Sequence, residues 1–173
     1  MAIKVVTEFK DNATVRVITY VYDDDDALTA PTAVNIKVFD PDGLQKCGNI
    51  SVTASASFTA DLVVTGATSL ATGYITSKPD GTTLELREVT GTFVSGETLN
   101  DSGAGTSTTT SALLGINIIV SGLVEAGVYE YYYHMGAASL AMDSGRWRGE
   151  IAVVDGVDED AITSPSSFSF KVR

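Results

Sequence analysis

Residues 33–39, Ala-Val-Asn-Ile-Lys-Val-Phe, alternate apolar and polar side chains, and this pattern decides the fold class. Val34, Ile36 and Val38 fall on one side of an extended chain, while Asn35 and Lys37 fall on the other. Residues 14–22, Thr-Val-Arg-Val-Ile-Thr-Tyr-Val-Tyr, repeat the alternation. A period of two in β-branched residues is typical of a half-buried antiparallel strand.

The same pattern extends over most of the chain. Turn-forming sequences interrupt it, such as Asp23 to Asp26 and Asp40-Pro41-Asp42-Gly43, and no segment has a convincing helical period. We therefore predict an all-β protein. The further predicted strands cover residues 3–9, 116–121, 128–134, 146–154 and 167–172.

The composition divides the chain into two parts. Residues 1–47 and 113–173 together supply the seven or eight strands of an Ig-like antiparallel β-sandwich. Residues 48–112 are rich in Ser, Thr, Gly and Ala but still alternate, which predicts a small β-rich module inserted in a loop of the sandwich. Within the module we expect a flexible Ser/Thr/Gly loop near 100–112, because no side chain there can build a core.

Charge and cysteine content limit the classes of partner and compartment. The formal net charge is −11, and an acidic surface repels nucleic acid and anionic membranes, so we expect neither as a partner. The one cysteine forms no internal disulfide, and the first residues lack the apolar core of a signal peptide. We therefore expect synthesis in the cytoplasm without a signal peptide.

Several phrases of the sequence resemble Ig-like domains of bacteriophage structural proteins, in which an acidic turn, a Tyr-rich strand and a Ser-Phe-Ser-Phe terminus recur. The middle of the chain resembles small β-modules found in phage head and tail proteins. The resemblance covers nearly the whole chain and implies a virion component. The matching phrases are Pro31-Thr32, Asp40 to Gly43, Gly127 to Tyr133, Gly145-Arg146-Trp147-Arg148, Ser167 to Val172, Val64 to Ser69 and Val89 to Leu99.

The resemblance implies a non-enzymatic structural protein that acts through protein–protein contacts. The expected partners are further copies of itself and other virion proteins, namely major capsid or neck and tail proteins. Within the virion we expect a head-associated role, as capsid decoration in many copies. The alternatives are a neck or tail structural protein, or a carbohydrate-binding, adhesive module of a receptor-binding apparatus.

Acidic loops are the only candidate metal site. Loop carboxylates can surround Ca²⁺ with oxygen atoms, but the spacing of an EF-hand is absent and Asp in turns usually caps its own backbone. The preferred interpretation is structural turns, with no metal and no cofactor. The calcium candidates are Asp23, Asp25, Asp40, Asp42, Asp158 and Asp160.

The residues that could support catalysis are few. His134 is the only histidine and Cys47 the only cysteine, which is too few for a zinc site. No Gly-x-Ser-x-Gly elbow accompanies His134, so a Ser-His-Asp triad is not indicated. Cys47 follows a turn and is interpreted as a small buried residue. We predict that the protein is not an enzyme.

Aromatic and basic residues are the better candidates for function, as contacts with a partner. Tyr129, Tyr131 and Tyr133 share one face of a strand, and Tyr132 and His134 share the other, so one face is available to a partner. Trp147 is predicted to point inward between two outward arginines, which can pair with carboxylates of a neighbour. The predicted interface residues are Tyr132, His134, Arg146, Arg148 and Tyr74.

Overall fold

The computed structural model describes residues 2–11, 14–134, 145–154 and 166–172. All regular structure in these residues is β-strand, and they contain no helix of the length and hydropathy needed to cross a membrane. The strands are β1 (Ala2–Asp11), β2 (Thr14–Tyr22), β3 (Ala33–Phe39), β4 (Gly48–Ser51), β5 (Val63–Gly66), β6 (Thr72–Asp80), β7 (Thr83–Thr90), β8 (Thr98–Asp101), β9 (Thr106–Thr108), β10 (Ile116–Asn117), β11 (Leu123–Glu125), β12 (Val128–His134), β13 (Gly145–Val154) and β14 (Ser166–Val172).

The chain forms two compact units. The first, the sandwich, comprises Met1–Pro41 and Asn117–Arg173, and the second, the module, comprises Asp42–Ile116. The module therefore begins at Asp42 and ends at Ile116. The sequence composition had predicted these limits at residues 48 and 112. The extra residues hydrogen bond within the module: Gln45 donates to the carbonyl oxygen of Leu114 over 2.9 Å, far from it in sequence.

The sandwich consists of two four-stranded antiparallel sheets. One has the strand order β1-β2-β12-β11 and the other β10-β3-β13-β14. With the strands lettered in chain order, these orders are A-B-E-D and C′-C-F-G, which is the immunoglobulin arrangement. The module therefore enters the chain between strands C and C′. The predicted all-β, Ig-like sandwich with an inserted β-rich module is confirmed.

Aromatic side chains fill the interior of the sandwich. The ring centroid of Trp147 on β13 lies 5.9 Å from that of Tyr133 on β12 and 6.0 Å from that of Phe170 on β14. A Cβ atom at Gly149, also on β13, would overlap the ring of Phe168, so only glycine admits that ring. The predicted inward faces of β2 and β3 are also correct, since Val15, Val17, Val21, Val34, Ile36 and Val38 are fully buried.

The module is a single six-stranded antiparallel sheet of order β4-β7-β6-β5-β8-β9. Its two edge regions are joined: Val52 bridges Thr109, and the Thr53 amide donates to the carbonyl oxygen of Thr108 over 2.9 Å. The backbone groups at these edges are thereby satisfied within the module. Its core is mainly aliphatic and contains Ile50, Val64, Ile75, Leu84, Leu86, Val89 and Leu99, with Phe58 and Phe93.

The segment near 100–112 differs from the flexible loop that the sequence predicts. It contains strand β9, and the carboxylate of Asp101 is buried where it accepts hydrogen bonds from the amides of Gly103 (2.9 Å), Gly105 (2.7 Å) and Thr59 (3.1 Å). The buried Thr109 hydroxyl donates to the carbonyl oxygen of Val94 over 2.8 Å. Buried polar bonds, which apolar patterning does not reveal, give this segment its structure.

Candidate interaction surfaces

A polar network covers the outer face of β1, β2 and β12. Arg16 makes a two-pronged contact with Glu130, from Nε to Oε2 at 3.0 Å and from Nη2 to Oε1 at 2.8 Å. Its Nη1 atom also lies 3.2 Å from a carboxylate oxygen of Glu8. The Tyr132 hydroxyl donates to Glu130 Oε2 over 2.7 Å. Three strands are therefore linked by one planar guanidinium group.

This network shifts the pKa of two of its members. The hydrogen bond to Glu130 raises the pKa of Arg16 above its ordinary value, and it also raises the pKa of Tyr132. Arg16 stays charged and Tyr132 stays a neutral donor. The exposed His134 lies at the end of the same face, where its Nδ1 is 3.1 Å from the Thr14 hydroxyl. Tyr132 and His134 thus share one surface, as predicted, and Tyr132 is held in place by its neighbours.

A second surface, here named the basic face, lies on the outer side of β3, β13 and β14. Arg146 and Arg148 are exposed there and Trp147 between them is buried, as predicted. The Arg148 guanidinium carbon lies 4.4 Å from the ring centroid of Phe39, and its Nη1 is 3.5 Å from Glu150 Oε1. Sheet register adds Lys171 opposite Arg146 and Lys37 opposite Glu150.

Tyr74 belongs to the module, whereas the other four candidates belong to the sandwich. It is half-buried on β6, and the guanidinium carbon of Arg87 lies 5.9 Å from its ring centroid. Arg87 Nε is itself buried without a hydrogen-bond partner, which places this pair partly out of water. The five predicted residues therefore divide into Tyr132 with His134, Arg146 with Arg148, and Tyr74 alone.

Four of the six calcium candidates lie in the described residues. Asp23 Oδ1 accepts hydrogen bonds from the amides of Asp25 and Ala27, both at 2.9 Å, and so caps its own turn. Asp40 is buried at the end of β3, whereas Asp42 is exposed and begins the module. Asp158 and Asp160 lie outside the described residues. In the described ranges no three His, Cys, Asp or Glu side chains are grouped to hold a metal ion.

Sequence reasoning missed a buried carboxylate that organises one end of the module. Glu97 is only 5% exposed, and it accepts hydrogen bonds from the amides of Val94 (2.7 Å), Ser69 (3.0 Å) and Thr68 (3.2 Å) and from the Ser69 hydroxyl (2.9 Å). Burial by itself would raise the pKa of Glu97, but these donors lower it below its ordinary value. The ionised carboxylate therefore joins two separate turns.

Each of those two turns presents an exposed apolar side chain. Leu70 is 74% exposed and Val94 is 51% exposed, and we name this pair the module tip. Leu70 also has a left-handed backbone with φ of 58°, a conformation that costs free energy for a residue with a side chain. The backbone there is held by hydrogen bonds from the Leu70 amide to Gly66 (3.0 Å) and from the Gly66 amide to Ala71 (2.9 Å).

Edge strand β11 carries a further exposed apolar group in the sandwich. Leu123 and Val124 on this strand are each 55% exposed, and Val120 in the preceding turn is 86% exposed. The sequence predicted a strand over 116–121, but only Ile116–Asn117 of this range is strand, as β10, because the chain turns at 119–122 before β11 begins at Leu123. An exposed apolar edge strand is open to pairing with another chain.

Comparison of the chain with protein-family models, curated proteins and solved structures found no match. The candidate surfaces are therefore defined by the geometry of this chain alone. They are the polar network around Arg16, the basic face, the module tip and the apolar edge at β11.

Proposed function

We propose that this chain is a non-enzymatic structural protein of a virion and that the module tip is one of its contacts with other virion proteins. The observation that carries the proposal is the exposure of Leu70 and Val94 on turns that a buried carboxylate holds together. The assignment to a bacteriophage virion is supported by the resemblance of the sandwich strands to phage structural domains.

The tip has the physical properties of a preformed contact. An exposed leucine with a left-handed backbone is unfavourable in a free monomer, since both its hydration and its backbone conformation cost free energy. Hydrogen bonds to Glu97 restrict both turns before any partner arrives, so binding needs little further ordering. Burial of the two side chains against a partner would recover part of the cost.

Capsid decoration is the form of this function that we favour, with a neck or tail protein as the alternative. A small apolar contact is weak by itself, but copies that also contact one another bind a symmetric shell at several points, and avidity then retains them. Exposed Tyr132 and Tyr74, as a platform for sugar, would favour the adhesive alternative. Tyr74 and Tyr132 are both half-buried, which does not favour that alternative.

The test replaces the two tip side chains and measures assembly. Virions are grown with Leu70→Ser/Val94→Ser in place of the wild-type chain, and the copies per purified particle are counted. The matched control is Leu114→Ser, because Leu114 is another exposed leucine of the module. We expect the tip variant to be depleted from particles at an unchanged thermal midpoint, with the control incorporated normally.

Two results would overturn the proposal. If the tip variant enters particles as well as the control, the tip is not a contact. If the wild-type chain is absent from purified particles, the protein is not a virion component. Electron microscopy of particles carrying a labelled wild-type chain separates the head from the neck and tail.

A further inference from the structure

The basic face concentrates positive charge in an acidic protein. Lys37, Arg146, Arg148 and Lys171 are four of the eleven lysines and arginines of the chain, and Glu150 is the only acid that the sheet register places among them. The face therefore carries a net charge of +3, and the remaining seven cations and twenty-one acids leave −14 on the rest of the chain. Charge is strongly segregated between this sheet surface and the rest.

The arrangement of these cations is unfavourable in an isolated sheet. Arg146 lies directly opposite Lys171, and like charges in directly opposed positions destabilise a strand pair. Within the part of the chain that the structure describes, neither residue has an acidic partner within ion-pair distance. An acidic surface bound from outside would remove this repulsion.

Part of the face is already ordered for such a contact. The Arg148 guanidinium carbon lies 4.4 Å from the Phe39 ring centroid and its Nη1 lies 3.5 Å from Glu150, so these two contacts restrict its planar donor group. Planar guanidinium groups match the geometry of carboxylates, and restricted ones lose less entropy on binding. The chemistry of the face therefore suits clustered carboxylates.

The chain itself offers such a cluster. Residues 23–26 are four consecutive aspartates, and Asp25 and Asp26 are exposed. Hydrogen bonds to Asp23 Oδ1 from the amides of Asp25 and Ala27 fix the backbone of this turn. We infer that the basic face of one copy binds the acidic turn at 23–26 of a second copy.

A contact between two different surfaces of the same chain is heterologous, so it builds rings or open rows of molecules. This inference deepens the proposed structural function by naming one partner and both surfaces. It does not involve the module tip. A nucleic acid is the less favoured occupant of the face, because a net charge of −11 opposes the approach of a polyanion.

The test measures self-association of the full chain by sedimentation velocity over a range of concentrations, at low and high ionic strength. One variant reverses the net charge of the face, Arg146→Glu/Lys171→Glu, and another neutralises the net charge of the turn, Asp25→Lys/Asp26→Lys. We expect each to weaken self-association on the order of tenfold or more, as for close charge pairs in other interfaces. An equimolar mixture of the two should associate again, because the unaltered acidic turn of the face variant then meets the unaltered basic face of the turn variant.

Controls separate a specific contact from a change of net charge. Lys4→Glu/Lys46→Glu changes the net charge as much as the face variant but at other positions, and it should associate more strongly than that variant. The neutral Arg146→Gln/Lys171→Gln should also weaken association, and it serves if the reversed face fails to fold. Circular dichroism checks the fold of every variant.

Three results would overturn the inference. The wild-type chain could stay monomeric at every concentration, or the face and turn variants could associate as strongly as the wild type does. The third is an equimolar mixture of the two variants that does not associate. Binding of a single-stranded oligonucleotide that the face variant loses, without self-association, would assign the face to nucleic acid instead. The Leu70→Ser/Val94→Ser variant should still self-associate. Failure of the proposed virion contact and failure of self-association are therefore observed separately.

Discussion

The two units of this chain are stabilised in different ways. The sandwich interior contains the rings of Tyr129, Tyr133, Trp147, Phe168 and Phe170. The module interior is mainly aliphatic, and it contains two buried carboxylates, Asp101 at the end of β8 and Glu97 just before this strand. They flank the fully buried Leu99 at alternate positions. At about 3.4 Å per residue, the two acids lie roughly 14 Å apart and bind different sets of turns.

The difference shows how a polar sequence acquires fixed loops. The turns of the module contain mainly Ser, Thr, Gly and Ala, so they have little apolar surface to bury. One buried carboxylate that accepts three or more hydrogen bonds can instead hold several backbone amides at once. Apolar burial therefore explains the sandwich, whereas the loops of the module depend on two charged groups.

The largest expected effect comes from Trp147→Ala. Removal of this ring leaves a cavity between Tyr133 and Phe170, and we expect the sandwich to lose roughly 3–5 kcal/mol of stability. Native-state hydrogen exchange of the full chain measures protection in each unit. Protection of amides in β6 and β7 should remain. An equal loss in the module would contradict the separation of the two units.

Glu97→Gln should have the next largest effect, confined to the module. The amide group cannot accept from all four donors and places its own NH₂ group against some of them, so we expect a loss of about 2–4 kcal/mol. Hydrogen exchange should accelerate at Thr68, Ser69 and Val94, which donate to the carboxylate. The control is Glu88→Gln, which makes the same chemical change elsewhere in the module. An equal effect of the control would exclude a special role for Glu97.

Asp101→Asn should destabilise the module by a smaller amount. Asn retains one oxygen that can still accept from Gly103 and Gly105, while its NH₂ group faces the Thr59 amide, so we expect about 1–2 kcal/mol. Exchange at Thr59, Gly103 and Gly105 reports the change directly. Fast exchange at these amides already in the wild-type protein would restore the sequence prediction of a flexible loop.

The smallest expected effect is the change with pH of the stability that Glu97 contributes to the module. The donors around Glu97 lower its pKa in the folded chain, so its contribution is complete above the unfolded value near 4.3 and is lost as the pH falls through the folded value. The stability difference between wild type and Glu97→Gln should therefore shrink in acid. The Thr82 amide also lowers the pKa of Asp80. Because Asp80 is present in both proteins, its contribution to the pH dependence of stability is the same in both. A constant difference across acidic pH would show that the carboxylate charge is irrelevant.

The sandwich could be predicted from its sequence because its signals are local. The bounds predicted for β2, β3 and β12 are those in the structure, since apolar alternation within each strand already specifies which face is buried. The alternation around Trp147 likewise predicts Arg146 and Arg148 outside and the indole inside.

The remaining features depend on residues that are distant in sequence. The hydrogen bond from Thr59 to Asp101 spans 42 residues, and that from Ser69 to Glu97 spans 28. The residues next to each acid in the sequence resemble those of a solvent-exposed turn, so they do not indicate that the acid is buried. The basic face also escaped prediction in part, because Lys37 and Lys171 join the arginines only through the pairing of β13 with both β3 and β14.

The complete burial of Cys47 makes its thiol a probe for the opening of the module. This thiol is the only one in the chain and has no exposed surface, so a thiol reagent can modify it only when the module opens. With excess reagent, the labelling rate reports the opening equilibrium or the opening rate, depending on how fast the module recloses. The opening of one unit can therefore be followed through its native thiol, without any added cysteine.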